Sequence, residues 1–393
     1  MSRGCDEEGW SRSALSRASR VGLGDVSTAS PTRWLLMAGH VPPDGSGGGI
    51  VRYTVELARA LHRRDDVELH LLTSPAAAGP LAELVGSPDR VVPLPAVPDP
   101  LVPAYERAAL ARRLGARFDV VQGAKHLLPR GVAARTALTV HDMILFDRPG
   151  DFPLAKRTLL GRPYAASLRQ ADALVCVSAA TRDRLTRWDA RVGARATAVP
   201  LATSPKLLGA TAVPVPALAG RPFGLVVGDS SPRKNLAVVV SAWARVVKQR
   251  PDAVLALVGP PNWGVDSYGP DHAGLLASGH VVQLTGVDDG TLRWSYENSS
   301  VVLTPSLVEG FGLPAVEALD LGARLVTSLD PALVEVSGAA AEHLPADDVP
   351  GWAAAVLRAL EEVPAPVPRT PRTWDDVAAE TVLAVLGRPV TGG

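Results

Sequence analysis

The sequence predicts an α/β protein of two doubly wound domains that face each other across a cleft. The chain has 393 residues, which is long enough for two domains of ordinary size. Short runs of apolar and β-branched residues alternate with helical stretches, a pattern typical of a parallel sheet with helices on both faces. The alternation is interrupted once, by a segment rich in proline and alanine, and then starts again. We therefore expect one sheet before this segment and a second sheet after it.

The beginning of the chain and its cysteine content bear on the class of protein. Residues 1–31 are rich in Ser, Arg, Gly and Ala and lack a hydrophobic period, so we expect a disordered extension without a secretory signal. No apolar run approaches the roughly 18–20 residues needed to cross a bilayer. Cys5 and Cys176 have neither CxxC nor Cys/His spacing, which argues against a disulfide framework or a zinc site and favours a reducing cytoplasm.

The first domain is predicted to span residues 32–203. Its first strand, Trp34–Ala38, leads into the glycine-rich turn Gly45–Gly49, and helical spacing of apolar residues runs from Ile50 to about Arg63. This order gives the first half of a nucleotide-type βα unit, although neither G-x-G-x-x-G nor a P-loop lysine is present. Six more strands are predicted at Val67–Leu72, Arg90–Leu94, Phe118–Gln122, Arg135–Val140, Ala173–Val177 and Ala196–Val199.

Two strand ends of the first domain carry polar residues. His141 and Asp142 directly follow the strand that ends at Val140. Because parallel sheets bind ligands beyond the carboxyl ends of their strands, His141 is a candidate base or ligand contact; the alternative is an ordinary buried histidine. Ser178 follows another strand end and precedes a helix over Ala179–Trp188, so we favour an N-cap over a chemical role for it.

Residues 204–221 are predicted to be an interdomain linker, and residues 222–371 the second domain. Residues 372–393 hold a last amphipathic helix, Trp374–Leu386, and a short tail. The strands of the second domain are predicted at Phe223–Val227, Val254–Val258, His280–Leu284, Val301–Thr304 and Arg324–Thr327, and its helices at Leu236–Gln249, Asp288–Glu297 and Gly351–Glu361.

The most informative part of the sequence is the segment 304–318. Glu309 lies in a loop with Gly310 and Gly312, whose missing side chains let backbone amides approach a ligand closely. A proline suited to a first helical turn follows the loop, and Glu317 lies just inside the resulting helix. Free amides and a helix N-terminus attract anions, so the loop predicts an anion site flanked by two carboxylates.

Two carboxylates beside an anion site fit a ligand that carries hydroxyls as well as phosphate, and a nucleotide sugar carries both. One alternative is a hydrolase in which Glu309 and Glu317 are the paired catalytic carboxylates. Because Glu317 lies within a helix and Glu309 in the loop before it, two contacts along one extended ligand suit this spacing better. A purely structural role of Glu317 near the helix N-terminus is a further alternative.

Arg233 and Lys234 follow the strand Phe223–Val227 and a tight turn, and they precede a helix. Cations near a helix N-terminus are mildly unfavourable on helix-dipole grounds, so a merely structural pair is less expected there. Two cations at the mouth of a parallel sheet can neutralise a diphosphate, and arginine can grip it with two hydrogen bonds. We therefore predict that this pair binds phosphate.

Net charge is zero overall, but charge is unevenly distributed along the chain. Residues 101–200 contain 17 Lys and Arg against 8 Asp and Glu, a net charge of +9. Residues 201–393 contain 13 against 20, a net charge of −7. This difference favours contact of the first domain with an anionic acceptor or membrane surface, with ordinary solvated helix faces as the alternative. We expect no nucleic-acid partner.

Taken together, these motifs resemble the GT-B glycosyltransferases of family 4, a retaining, nucleotide-sugar-dependent group with two Rossmann-like domains. The run Glu309-Gly310-Phe311-Gly312-Leu313-Pro314 with Glu317 is highly specific, whereas the other matches would be weak singly. The resemblance covers about residues 33–386. The other matching positions are Gly45–Gly49, His141-Asp142, Val177-Ser178, Gly228, Arg233-Lys234-Asn235-Leu236, Gly259, Leu284–Val287, Leu292, Pro305-Ser306, Ser328–Pro331 and Gly338.

The resemblance implies a role for each matching site residue. Glu309 would hold donor-sugar hydroxyls, and His141 would contact the sugar near the reacting centre. Glu317 would hold ribose hydroxyls, while Arg233 and Lys234 would neutralise the departing diphosphate. The catalytic group would thus comprise His141, Glu309, Arg233 and Lys234. The remaining donor-binding positions would be Gly48, Gly49, Gly228 and the backbone amides of Gly310, Phe311, Gly312 and Leu313.

The resemblance also implies the reaction: retaining transfer by front-face attack, with neither a metal nor a cofactor and no protein nucleophile. The lack of an Asp-x-Asp motif near a strand end agrees with metal independence. The pattern looks closest to bacterial mannosyltransferases, so GDP-mannose is the first candidate donor. The acceptor would be a saccharide or a lipid-linked saccharide in polysaccharide or glycoconjugate synthesis, in the cytoplasm or at the inner face of the membrane.

Three alternatives stay open at this point. A sugar-nucleotide epimerase shares the two-domain fold, although the glutamate motif counts against it. A two-lobed solute-binding protein would need export, and the sequence shows no signal peptide. A non-catalytic homologue would act as a partner subunit, but Glu309, Lys234 and His141 are all retained.

Overall fold

A computed structural model gives the fold of residues 30–95, 101–114, 116–260, 267–362 and 369–387. Residues 1–29 of the predicted extension and residues 388–393 of the predicted tail lie outside this set. Within the described residues, no helix is both long enough and apolar enough to cross a membrane. The strands form two separate sheets, and every pairing within them is parallel. The predicted α/β class with two doubly wound domains is therefore confirmed.

The first sheet has the strand order β3-β2-β1-β4-β5-β6-β7, and each observed boundary lies within two residues of the predicted one. Its central strands are buried over most of their length because helices cover both faces: Trp34, Leu35 and Leu36 of the first strand are fully buried. The strands are β1 (Thr32–Met37), β2 (Val67–Thr73), β3 (Val91–Pro93), β4 (Val120–Gly123), β5 (Arg135–Val140), β6 (Ala173–Cys176) and β7 (Ala196–Ala198).

The strand order reverses between β1 and β4, so the crevice beyond their carboxyl ends is where a doubly wound sheet binds ligands. Two helices of this domain, the third and the sixth, lie next to that edge and were not predicted. The helices are α1 (Gly49–His62), α2 (Ala78–Leu84), α3 (Val102–Ala108), α4 (Leu110–Leu114), α5 (Ile144–Asp147), α6 (Leu154–Gln170), α7 (Ala179–Trp188) and α8 (Ala190–Gly193).

The second sheet has the order β10-β9-β8-β11-β12-β13. Its strands are β8 (Phe223–Val227), β9 (Val254–Val258), β10 (Val281–Leu284), β11 (Val301–Thr304), β12 (Leu325–Ser328) and β13 (Ala341–Leu344), and its helices are α10 (Leu236–Val246), α11 (His272–Ala277), α12 (Asp289–Asn298), α13 (Leu313–Asp320), α14 (Pro331–Ser337) and α15 (Val349–Glu361). The edge strand β13 was not predicted, because its half-exposed sequence AEHL lacks an apolar run.

Two segments join the domains. The predicted linker contains the short helix α9 (Pro205–Gly209), and its residues Leu207, Val215 and Leu218 are buried in the core of the second domain. The last helix, α16 (Trp374–Leu386), packs instead against α1 and β6 of the first domain. Trp374 lies 2% exposed within that core. The chain therefore crosses between the domains twice, and both cores hold residues from outside their own strand series.

Candidate active site

The loop between β11 and α13 is held by its own glycines and by the first domain. Gly312 adopts a left-handed φ of 98°, and a Cβ there would lie 2.6 Å from a methyl carbon of Leu333. A Cβ on Gly310 would lie 1.7 Å from the carbonyl oxygen of His141. Only glycine fits these two positions, because a side chain would either strain the loop or collide with the end of β5. The loop therefore lies directly against the first domain.

Glu309 is the centre of a cluster of opposite charges at the mouth of the second sheet. Its Oε1 accepts hydrogen bonds from Lys234 Nζ at 2.6 Å and from Ser306 Oγ at 2.6 Å, and its Oε2 accepts one from Arg233 Nη1 at 3.1 Å. Burial by itself would raise the pKa of Glu309, but Lys234 and Arg233 outweigh it and lower the pKa to about 2. The carboxylate is thus ionised at neutral pH, and three predicted site residues lie together.

The backbone turn that carries the two cations is tied to the Glu309 loop. Asn235 takes a left-handed φ of 54°, which directs its side-chain amide toward the carbonyl of Pro305 at 3.2 Å. The amide of Leu307 donates to the carbonyl of Arg233 at 2.8 Å. Gly228 leaves room for the Lys234 side chain, whose Cε lies 3.3 Å from the position of a Cβ on that glycine. The cations and the carboxylate are therefore held by one connected set of loops.

This arrangement disfavours a glycoside hydrolase. A general acid needs a raised pKa so that it is protonated near neutral pH, whereas the pKa of Glu309 is lowered. Glu317, the second candidate carboxylate, is 1% exposed and has protein partners on both oxygens. Arg52 of α1 pairs with one oxygen, and the hydroxyl of Tyr296 donates to the other at 2.8 Å. Glu309 is thus not set up to donate a proton, and both oxygens of Glu317 are occupied within the protein.

Glu317 is paired with an arginine of the other domain, whereas the side-chain partners of Glu309 all belong to its own domain. The charge of Glu317 raises the pKa of Arg52, which reaches it from the first domain. Burial raises the pKa of Tyr296 well above its ordinary range, so its hydroxyl stays a proton donor toward the carboxylate. A ribose hydroxyl would have to share the carboxylate with one of these partners. The ribose role of Glu317 stays a prediction.

His141 lies at the carboxyl end of β5, behind the Gly310 contact. Its Nε2 donates to the carbonyl of Ala124 at 2.9 Å, which leaves Nδ1 with the free lone pair in the neutral ring. The ring meets Tyr53 edge-on, with centroids 4.8 Å apart. Burial lowers the pKa of His141, so the imidazole is neutral at physiological pH. The backbone of His141 contacts the loop, and its ring is held within the first domain.

Side chains of helix α7 in the first domain donate hydrogen bonds to two backbone carbonyls of the loop that carries Glu309. Ser178 Oγ and Thr181 Oγ1 donate to the carbonyl of Gly310 at 2.5 and 2.9 Å, and Arg184 donates to the carbonyl of Glu309 at 3.1 Å. Ser178 also accepts from the amide of Thr181 at 3.0 Å, so the predicted N-cap is confirmed. The carboxylate of Glu335, from α14, accepts from the first two amides of α7 at 2.8 and 2.7 Å. The domains therefore meet with the loop between them.

The other predicted donor positions are divided between the cleft and the core. Gly49 lies opposite Leu313, with 3.6 Å between its Cβ position and a methyl group of Leu313, whereas Gly48 has open space around it. The side chain of Phe311 is 6% exposed and packs in the core of the first domain. Phe311 can therefore offer a ligand only its backbone. The first turn of α1 and that of α13 thus lie on either side of the cleft.

A second cleft adjoins the charged cluster at the carboxyl ends of β8, β9 and β10. Gly228 and Gly259 line it together with Tyr268, Gln283 and Thr285. Thr285 belongs to the predicted matching run Leu284–Val287 but was given no role, and Tyr268 and Gln283 were not found because no motif marks them. Arg52, Arg184 and Tyr296 were also missed, because their partners lie far away in the chain, and Asp330 was matched only as part of Ser328–Pro331, without a role. Among the described residues, no group of three or more His, Cys, Asp and Glu side chains could hold a metal ion.

Comparison with known families agrees with this geometry. Residues 47–207 match the family model described as Glycosyltransferase Family 4, and residues 221–362 match the one described as Glycosyl transferases group 1. The two matches together span most of the chain.

Curated relatives of the chain include two bacterial mannosyltransferases. The O-antigen chain mannosyltransferase B of Escherichia coli is 26% identical over 86% of this chain and 91% of its own length. A phosphatidyl-myo-inositol mannosyltransferase of Mycolicibacterium smegmatis is 36% identical, but over only 33% of this chain and 34% of its own length.

Solved structures share the fold at low sequence identity. Sucrose-phosphate synthase from Thermosynechococcus elongatus superposes with a TM-score of 0.65 at 21% identity, covering 90% of this chain and 94% of that one. Anabaena HepE in complex with UDP-glucose superposes with a TM-score of 0.64 at 15% identity, covering 90% and 95%. At these identities the likeness concerns the fold alone.

Proposed function

The chain belongs to glycosyltransferase family 4 and has the GT-B fold, and we propose that it transfers mannose from GDP-mannose with retention of configuration. The proposed acceptor is a saccharide or a lipid-linked saccharide in bacterial polysaccharide or glycoconjugate synthesis. The choice of mannose is supported by the two mannosyltransferase relatives. A nucleotide-sugar donor is supported by neighbours of the same fold that were solved with UDP-glucose.

The observation that carries the proposal is the cluster of Arg233, Lys234 and Glu309. Both cations lie at the carboxyl ends of the strands and are partly exposed, with 25% and 13% of their side chains accessible. A diphosphate placed beside them would meet two positive charges already held in position by a buried carboxylate. Charge that develops on a leaving diphosphate is stabilised most by groups that need no rearrangement.

The reaction follows from positioning and electrostatics. Glu309 accepts hydrogen bonds, so a sugar hydroxyl can bind its carboxylate while Arg233 and Lys234 keep their positions beside the diphosphate. The neutral ring of His141 is held by Ala124 on the first-domain side of the loop. No protein nucleophile is required if the acceptor oxygen attacks on the face from which the diphosphate departs. The sugar–phosphate bond then breaks as the new glycosidic bond forms, and an oxygen of the leaving diphosphate takes the proton of the acceptor hydroxyl. We propose that the chain needs neither a metal nor a cofactor for this step.

A panel of nucleotide sugars tests the proposal. We expect release of nucleoside diphosphate from GDP-mannose to exceed release from UDP-glucose and UDP-galactose, and to increase when mannosides are added as acceptors. Anomeric retention is checked by NMR of the product. Formation of an epimeric nucleotide sugar without acceptor would support the epimerase instead, and reversible sugar binding with no turnover would support a binding protein.

We also propose that the first domain contacts anionic lipid at the membrane surface. Helix α6 exposes Leu154 and Leu159, which are 69% and 77% accessible, beside the exposed cations Arg157 and Arg162. Apolar side chains among cations are typical of an interfacial membrane contact. Cosedimentation with vesicles of phosphatidylglycerol is expected at low salt and should fall as salt rises. Vesicles of phosphatidylcholine alone serve as the control, and equal binding to both would contradict the proposal.

A further inference from the structure

Helices α1 and α13 lie next to each other across the cleft, with their N-termini together. Gly49, the first residue of α1, lies opposite Leu313, the first residue of α13, with 3.6 Å between its Cβ position and a methyl group of the leucine. Arg52 of α1 and Glu317 of α13 form an ion pair about one turn further along both helices. The two domains therefore meet through a cation of one helix and a carboxylate of the other.

Both helix N-termini are suited to an anion. Their N-cap residues are Gly48 and Gly312, which have no side chain to accept hydrogen bonds from the first-turn amides. The first turns, GIVR and LPAV, contain no acidic residue, and free amides together with the helix dipole favour negative charge. Lys234 and Gly312 line the same pocket. A diphosphate bound beside Lys234 at the start of α13 would therefore also lie next to the start of α1.

Glu317 cannot take a new partner without giving up an old one. Its side chain is 1% exposed, and its two oxygens are bound by Arg52 and by the hydroxyl of Tyr296. Tyr296 is fully buried in the core of the second domain and is held there by its packing. Arg52 belongs to the other domain, has 30% of its side chain accessible and has a flexible stem. Arg52 is therefore the partner that a ligand can displace.

Displacing Arg52 is costly unless the ligand replaces both halves of the ion pair, because a buried carboxylate without its counterion is strongly unfavourable. Hydroxyl groups can replace the donors of the guanidinium at Glu317. The guanidinium then needs an anion, and helical side chains lean toward the helix N-terminus, where the diphosphate would lie. One helical turn is about 5 Å, a distance that side chains cover in i, i+4 ion pairs. A nucleotide meets both needs, whereas a nucleoside meets only the first.

We propose that Arg52 is a positioning residue that changes partners when the donor binds. It leaves Glu317 to the ribose hydroxyls, and its guanidinium then binds the diphosphate between the two helix N-termini. This inference rests on the proposed transfer from a nucleotide sugar and on the ribose role predicted for Glu317. The first domain would thereby contribute one cation to the leaving group, in addition to Arg233 and Lys234 of the second domain.

Isothermal titration calorimetry of the full chain with GDP and with guanosine tests the change of partners. Arg52→Ala should bind guanosine at least threefold more tightly than the wild type does, because Glu317 is no longer occupied. The ratio of the guanosine to the GDP dissociation constant should fall at least tenfold, because the phosphates lose a partner. If the wild type binds UDP and not GDP, UDP and uridine form the pair that is compared.

The matched control is Arg59→Ala. Arg59 lies on the same helix, is also 30% accessible and pairs with a nearly buried carboxylate, that of Glu56. It lies two turns further from the helix N-terminus than Arg52, so we expect both dissociation constants to match those of the wild type.

Glu317→Gln gives a second test, which leaves no buried charge unpaired and stands even if Arg52→Ala is unstable. A neutral glutamine holds Arg52 less strongly, so the guanidinium is available to phosphate from the start. The analogue 2′,3′-dideoxy-GDP has no ribose hydroxyls to displace Arg52. It should bind Glu317→Gln at least threefold more tightly than it binds the wild type. In the presence of Arg52→Ala, the same substitution should change its dissociation constant by less than twofold.

The outcomes separate this inference from the proposed function. Guanosine binding that is unchanged or weaker in Arg52→Ala would mean that Arg52 does not compete for Glu317. An unchanged ratio of the two dissociation constants would mean that the guanidinium does not reach the phosphates. Either result overturns the change of partners and leaves the donor proposal standing, because the wild type still binds nucleotide. Failure of the wild type to bind either GDP or UDP would overturn the donor proposal, and this inference with it.

Discussion

The guanidinium of Arg184 lies against the backbone of Glu309, with Nη1 3.1 Å from the carbonyl oxygen. The two residues belong to different domains, and Arg184 also pairs with Asp330 at the start of α14. Both side chains of that pair are nearly inaccessible, at 9% and 1%. Arg184 thus connects α7 of the first domain to the loop that carries Glu309 and to α14. The conformation of this loop therefore depends on how the two domains are placed.

Replacing Arg184 is expected to separate stability from activity. Burial raises the pKa of Asp330 despite the charge of Arg184, so the cost of desolvating the pair offsets much of its attraction. Removing Arg184 alone is costly, because it leaves Asp330 buried and unpaired. Arg184→Ala should therefore destabilise the protein by about 3–5 kcal/mol. Adding Asp330→Asn should restore part of this in a thermal unfolding assay. Turnover should stay at least tenfold low in the double variant, because the Glu309 carbonyl is still unheld.

The matched control for this experiment is Arg182→Ala on the same helix. Arg182 is half-buried, with 42% of its side chain accessible, and within the described part of the chain its guanidinium pairs with its neighbour Asp183. We expect wild-type stability and turnover from it. Full activity in the Arg184 and Asp330 double variant would contradict a positioning role, since stability alone would then explain the single variant.

Lys234→Ala is expected to reduce turnover of the nucleotide sugar roughly 100- to 1000-fold, because one preorganised charge is lost from the leaving group. The fold should persist, since Arg233 still pairs with Glu309 at 3.1 Å. Release of nucleoside diphosphate measures the effect, and circular dichroism checks the fold. Lys248→Ala, an exposed lysine of the same domain, is the control. Equal rates in the two variants would remove Lys234 from the site.

The lowered pKa of Glu309 predicts an acid-sensitive contribution to stability. The pKa falls from its ordinary value of 4.5 to about 2 in the folded protein, because Lys234 and Arg233 outweigh burial. A group with a lowered folded pKa stabilises the fold above its unfolded pKa, and this stabilisation is lost as the pH falls toward the folded pKa. A shift of this size corresponds to on the order of 3 kcal/mol.

Glu309→Gln is therefore expected to unfold at lower temperature than the wild type near pH 7. The difference should shrink between about pH 4.5 and pH 2, because the wild-type carboxyl becomes protonated and then resembles the amide. Melting temperatures of both proteins across this range measure the effect. A difference that is constant with pH would mean that the charge of Glu309 has no part in its contacts.

The sequence predicted each sheet well because parallel strands buried on both faces appear as apolar runs. The strand β13 was not predicted, because a strand at the edge of a sheet needs only half-buried residues. The short helix α14, between β12 and β13, was not predicted either. Ser178 shows a different limit. Its N-cap role is local and was predicted, whereas its hydrogen bond to Gly310, 132 positions away, depends on how the domains are placed.

The same reasoning explains which site residues were found. Arg233, Lys234 and Glu309 lie at strand ends of one sheet, and a rule about strand ends brings them together. Arg52 and Glu317 meet across the cleft, 265 positions apart in the chain, and no local pattern marks Arg52 as a partner of a buried carboxylate. Sequence periodicity places residues at the strand ends of one sheet, but it does not predict which side chains meet between the domains.

Gly310→Ala is expected to abolish turnover while leaving nucleotide binding nearly intact. The new methyl carbon would lie 1.7 Å from the carbonyl oxygen of His141, so the loop and β5 must separate. The cations Arg233 and Lys234 belong to the second domain alone and can still bind GDP. We expect a GDP dissociation constant within about threefold of the wild type by calorimetry, a larger radius of gyration by X-ray scattering, and no detectable transfer.

The matched control for Gly310→Ala is Gly274→Ala. Gly274 lies in α11 with nothing within 4 Å of its Cβ position, so alanine there should be neutral or stabilise the helix by up to about 1 kcal/mol. Transfer by the control at the wild-type rate would show that an added methyl group is harmless in itself. If Gly310→Ala also transfers sugar at the wild-type rate, the close contact with His141 is not needed. The reaction would then proceed although the added methyl group separates the loop from β5.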